Sequence, residues 1–208
     1  MASSLMHLAI AKKVLDYTYV RNTKDYFLGS IAPDISRQIG DSKEKSHFSI
    51  NSINEDTPNL ELFIKRYPNF KNTAFDLGYF THLYADKVWN EEFLPKITTS
   101  HSIQLLDGTV QEMSEEEITR LLYSDYTSLT SQIIDAYELD LSLFYEEFQK
   151  PTTDMIEVPV DQLDLLLNKM GIIIQNAQGE KSYTIDFQEV KDYIDDTSKR
   201  IIEELKKH

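Results

Sequence analysis

The sequence predicts an all-α domain, and three observations carry that prediction. Nearly every stretch with a hydrophobic period has the helical one, apolar residues returning after three and four positions. Helix start and stop signals separate these stretches, among them Ser114 ahead of three glutamates and Pro95 behind a long run. The 208 residues, 41% of them hydrophobic, suffice for one core, and neither a repeat nor a low-complexity segment suggests another architecture. The expectation is one helical domain over 1–208 with at most a small hairpin, near Asp107 or Gly179.

The elements follow in order. From about Ser4 to Tyr19, Leu5, Leu8, Ala11, Val14 and Leu15 share a helical face, and His7 lies on the side of Ala11 and Val14. Phe27 to Ile35 (FLGSIAPDI) is punctuated by Gly29 and Pro33, so Asp34 sits on a rigid turn or short helix start. Ser36 to Asp56 is polar and reads as a long loop carrying His47, the kind of loop that is often functional. Thr57-Pro58 opens a helix to about Tyr67 by the cap-then-proline rule. A longer helix covers about Asn72 to Leu94, and Pro95 ends it. Ser114 with Glu117 forms a capping box for a helix through about Tyr137. Further helical periods run over Leu141 to Phe148, Asp161 to about Gln175, and Phe187 to Leu205, with Thr184 to Phe187 as a candidate short strand.

Composition excludes several functions. A formal net charge of −14 argues against holding nucleic acid, which needs cations facing phosphates, and against stable docking on anionic lipid. The absence of cysteine rules out disulfides, thiolate metal sites and a thiol nucleophile, so any metal must be held by nitrogen and oxygen. Lys12 and Lys13 follow the first apolar run rather than precede it, unlike a signal peptide, and no run approaches a membrane span; a cytoplasmic protein is expected.

The chemistry concentrates in the segment LGYFTHLYADKVW (Leu77–Trp89). It sets His82 and Asp86 four residues apart, on one helical face, where both can reach one ion. Gly78 and Ala85 offer little side chain to fill the space over that face, which suggests a pocket flanked by Phe75, Trp89 and Phe93. A His–Asp hydrogen bond bracing a helix is the plainer reading of the pair alone. Three upstream candidates, His7, Asp34 and His47, change the balance: three imidazoles and two carboxylates suit Zn²⁺, and also Fe or Mn. His101 suits a turn better than a site, and Glu115 to Glu117 suit a helix N-terminus.

The order MHLAIAKKVL, FLGSIAPDI, SHF and LGYFTHLYADKVW resembles the zinc-dependent phospholipase C family, helical phosphoesterases related to zinc-dependent single-strand nucleases. The resemblance covers roughly residues 6–90. No flexible linker separates the two parts of the chain, so a metal-binding half over 1–95 is expected with the helical half 96–208 packed on it. The resemblance implies His7, His47 and His82 as imidazole ligands, Asp86 as a bridging carboxylate, and Asp34 as the carboxylate that binds at the metal and handles the attacking water. It implies hydrolysis of a phosphodiester, from a small molecule or a lipid headgroup. Secreted members use an N-terminal Trp and a further His-rich segment as ligands; this chain begins Met-Ala-Ser-Ser and has only His101 between Trp89 and Met113, so one or two metal ions are expected. The rival readings are a non-catalytic relative with a structural metal and an acidic helical interaction module without metal; HD-type phosphohydrolases are disfavoured because no His-Asp dipeptide occurs.

Overall fold

A helix apolar on every side must be covered on every side, and α6 (Ala74–Val88) is such a helix: Phe75, Leu77, Tyr79, Phe80, Leu83 and Val88 surround its axis and are all buried. The computed structural model describes residues 2–49, 57–177 and 181–207. The other helices pack on α6 or on the elements that cover it. They are α1 (Ser4–Leu15), α2 (Thr23–Gly29), α3 (Ile35–Ile39), α4 (Lys43–Ser46), α5 (Leu60–Arg66), α7 (Leu94–Ile97), α8 (Glu115–Ser128), α9 (Thr130–Tyr137), α10 (Leu163–Asn176) and α11 (Phe187–Leu205). α1 and α2 touch α6 directly, α11 lies against both α1 and α6, and α10 packs on α3. One antiparallel hairpin, β1 (Ser102–Gln104) with β2 (Val110–Glu112), completes the described elements. Its turn holds Asp107-Gly108, with Gly108 at φ 86°, so the all-α expectation with a small hairpin holds. The alternative position at Gly179 lies outside the described residues.

The tightest joint is between α2 and α6. A Cβ built on Gly78 would stand 2.0 Å from the Tyr26 carbonyl oxygen, and one on Gly29 would stand 2.0 Å from that of Phe75. Each glycine seats the other helix's backbone. The expectation that Gly78 opens a pocket is therefore wrong: the missing side chain admits α2.

Several local readings are also corrected. The stretch after Ser36 is not a plain loop but holds most of α3, closed by Gly40 at φ 71°, and then α4; residues 50–56 lie outside the described part. The cap of α5 is Asn59, whose side chain accepts from the Leu62 amide, rather than Thr57. Pro95 does not end the long helix. The chain passes from α6 through a π-helical turn, Trp89–Phe93, in which the Leu94 amide bonds back five residues to Trp89, and Pro95 then starts the last turn, where no amide is required. Leu141 to Phe148 makes only a 3₁₀ turn, Ser142–Phe144. By contrast α11 has the expected bounds, and both bonds of the Ser114–Glu117 capping box are present.

Thr184 to Phe187 is not a strand. Its backbone wraps the buried carboxylate of Asp125 on α8, which accepts from the amides of Tyr183, Thr184 and Ile185 and from the Thr184 hydroxyl at 2.6–3.2 Å. This clasp leads the chain into α11.

Three substitutions check this account. Gly78→Ala forces a methyl group into backbone and is expected to cost at least the upper part of the usual ~1–3 kcal/mol for overpacking, read as a shift in denaturant midpoint. Gly108→Ala, in an open turn with nothing near its Cβ, should cost about 1–2 kcal/mol for its left-handed backbone alone. Asp125→Ala strands the buried amides of Thr184 and Ile185, each worth about 1–3 kcal/mol when unpaired, and frees that of Tyr183. Exchange of the 183–185 amides should then accelerate well beyond the change in global stability; unchanged protection there would contradict the clasp.

Candidate metal centre

Each of the five candidate residues is placed by a different local device. His7 rides in the first turns of α1, which Ser3 caps by accepting from the Met6 amide at 3.3 Å. Asp34 ends a 3₁₀ turn, Ala32–Asp34, whose early Pro33 stiffens the approach to α3. His47 caps the C-terminus of α4, and the next residue, Phe48, takes a left-handed φ of 55°. That conformation costs a non-glycine residue on the order of 1–3 kcal/mol. It sends His47 towards α6 while Phe48 turns into a cluster of Phe63, Tyr67 and Tyr79. His82 and Asp86 stand one turn apart on α6, as the four-residue spacing requires.

The fold brings all five together. Asp86 is the hub: its Oδ1 lies 3.2 Å from His7 Nε2, and its Oδ2 lies 3.3 Å from His47 Nε2 and 3.5 Å from His82 Nε2. Its Oδ1 also accepts the Ala2 amide at 3.0 Å. The His7 and His82 rings stack with centroids 3.8 Å apart. Ligand atoms of His7, Asp34 and His82 all fall within 4.8 Å of one another, as do those of His47, His82 and Asp86. His101 stands exposed before β1, away from this group.

Polar neighbours orient the ligands. His82 Nδ1 is 2.9 Å from the Ser30 carbonyl oxygen, which can only accept, so Nδ1 carries the hydrogen and a neutral ring keeps its Nε2 lone pair free. His47 Nδ1 is 2.9 Å from the Ser46 hydroxyl, and the Tyr79 hydroxyl donates to the Ser46 carbonyl. Ser4 Oγ donates to Asp34 Oδ2 at 3.2 Å. These partners were not foreseen from sequence. Most act through a main-chain carbonyl or a common serine, which carries no motif.

The electrostatics match a cation site. Burial lowers the pKa of His7, and the neighbouring His82 lowers it further; burial likewise lowers that of His47. Burial alone would lower that of His82 too, but the close Asp86 carboxylate outweighs it and raises the value. Asp86 is held well below the usual carboxylate range. Burial opposes this, and the three imidazoles reverse the sign. His7 Nε2, Asp86 Oδ2 and Asp34 Oδ1 are nonetheless buried without a hydrogen-bond partner. Buried orphan lone pairs are costly, and a set of three nitrogens and two carboxylates is the donor chemistry of zinc. The residues present fit the ion.

Four of the five are wholly enclosed; Asp34 retains 6% exposure. It borders a cavity of about 310 Å³ between the start of α1, α3, α8 and α10. Tyr126, Leu166, Met170 and Ile173 supply its apolar wall, and Arg37 and Lys169 its cations.

Fold and centre together define a helical protein built round a buried imidazole–carboxylate cluster able to hold zinc. Residues 6–133 match the family described as zinc-dependent phospholipase C, and the chain belongs to that family. The matched span carries all five residues and ends within α9. Comparison with curated proteins and with solved structures gives no significant match. No described helix is long and apolar enough to cross a membrane.

If the cluster holds zinc, the ion should stabilise the fold. At a free concentration 100 times its Kd, a ligand specific to the native state adds about 2.7 kcal/mol. The melting temperature should rise with zinc, fall with chelator, and cease to respond in His82→Ala. A melt indifferent to zinc would count against the assignment.

Proposed function

We propose that the protein is a metal-dependent hydrolase of a phosphodiester, resembling phospholipase C in reaction, with one or two zinc ions held by His7, Asp34, His47, His82 and Asp86. The observation that carries this reading is the place of Asp34. It belongs to the buried donor cluster and also forms part of the wall of the neighbouring cavity. A purely structural metal has no need of an opening, whereas a catalytic one needs a place for substrate.

Zinc at the cluster supplies Lewis acidity towards a phosphoryl oxygen and towards water. The protein's own groups do the rest. Asp86 lies within 3.2–3.5 Å of all three imidazoles and accepts the Ala2 amide on Oδ1, so its work is to hold the cluster together. Asp34 has Oδ2 fixed by the Ser4 hydroxyl and Oδ1 without a partner. Standing at the edge of the cluster and in the cavity wall, this carboxylate is the group to orient an incoming water and to take its proton, general-base work worth about 10²–10⁴-fold. The apolar wall of α10 accommodates the ester's hydrocarbon part.

The two carboxylates should fail differently. Asp86→Asn is expected to lose metal and activity together. Asp34→Asn should keep most of its zinc, through the remaining imidazoles, and lose about 10²–10⁴ in rate. Elemental analysis and a phosphodiesterase assay on both variants decide the matter: near-full turnover in Asp34→Asn removes Asp34 from the role. Zinc bound without turnover on any phosphodiester favours a structural metal.

A further inference from the structure

The cavity beside Asp34 is charged against the trend of the molecule. The chain has 35 acidic and 21 basic residues, yet Asp34 is the only carboxylate among the described lining residues, facing Arg37 and Lys169. Arg37 stands three residues beyond Asp34 on α3, and Lys169 on α10 between the lining residues Leu166 and Met170. Neither cation forms an ion pair with a described residue. The Arg37 guanidinium lies 5.2 Å from the Tyr123 ring centroid, over the ring. Tyr126 links the two regions: its phenol pKa is raised by burial and then by the charge of Asp86, and Arg37 opposes the rise.

The geometry points to a headgroup selectivity: Arg37 and Lys169 admit phosphodiesters whose headgroup is neutral or anionic, and reject those whose headgroup carries a quaternary ammonium. This rests on the phosphodiesterase reading above. A choline headgroup would bring its cation within a few ångströms of the scissile phosphorus, into the field of two unpaired cations. Of the two aromatic rings in the wall, whose faces are the usual attraction for such a cation, Tyr123 already carries Arg37, and Tyr126 packs edge to face with Trp89 and Tyr123. Discrimination of this kind works by repelling the wrong ligand as much as by holding the right one. An effective dielectric between that of water and that of a protein surface makes one such like-charge contact worth about tenfold.

The test uses the full chain loaded with zinc, at fixed low ionic strength so that screening does not mask the effect. Binding of glycerol 3-phosphate and of phosphocholine is measured by calorimetry, and kcat/KM on the corresponding dihexanoyl phospholipids. Glycerol 3-phosphate should bind about tenfold or more tighter, and the phosphoglycerol lipid should show the higher kcat/KM. Arg37→Gln combined with Lys169→Gln should bring the two ligands within about threefold, and Lys169→Glu should favour phosphocholine. Both side chains are exposed, so the variants should fold. Equal binding in the wild type, binding of neither ligand, or a ranking untouched by the variants overturns the selectivity. The expected ranking without turnover on either lipid supports the selectivity and overturns the phosphodiesterase reading instead.

Discussion

The structure depends on the burial of one carboxylate. Asp86 has no exposure, and an uncompensated charge in that position would cost several kcal/mol even after relaxation. The compensation comes from three separate parts of the chain: His7 and the Ala2 amide at the start of α1, His47 at the end of α4, and His82 on the same helix as Asp86. None of these can move without leaving charge or lone pairs unpaired. The positions of α1 and α4 relative to α6 are thus a requirement of the electrostatics as much as of packing.

The core is arranged to serve that requirement. Phe48 accepts an unfavourable backbone so that His47 and an aromatic ring point in opposite directions. On the other side, Trp89 stacks on Phe93 at 4.1 Å and meets Tyr193 of α11, whose hydroxyl donates to the Ala85 carbonyl at 2.9 Å. The π turn that permits this stacking also carries the chain past Pro95. The Asp125 clasp then leads residues 183–185 into α11, which covers α1 and α6.

What could be read from sequence is what local chemistry decides. The capping box at Ser114, the bounds of α11 and the Asp107-Gly108 turn are written in residues a few positions apart, and they appear as read. The five candidate residues could be picked out because their flanking strings keep a recognisable order, and the fold gathers them. The π turn, α4 and the Asp125 clasp were not legible, since each is stabilised by partners distant in the chain. The orienting groups of the centre were hidden for a related reason: a carbonyl such as that of Ser30 has no signature in the side-chain alphabet. Gly78 was noticed but misread. Sequence shows that a side chain is missing, not whether water or another helix takes the space.

That close approach of Gly29 and Gly78 has a bearing on how the site tolerates change. Ser30 directly follows Gly29, and Gly78 lies one turn before His82. The carbonyl that selects the His82 tautomer is thus set against the ring by two touching backbones, with no side chain as intermediary. Drift at the surrounding apolar positions can reshape the core without altering which nitrogen of His82 is free. The vulnerability is concentrated at the two glycines, where almost any replacement would part the helices and, with them, the ring from its acceptor.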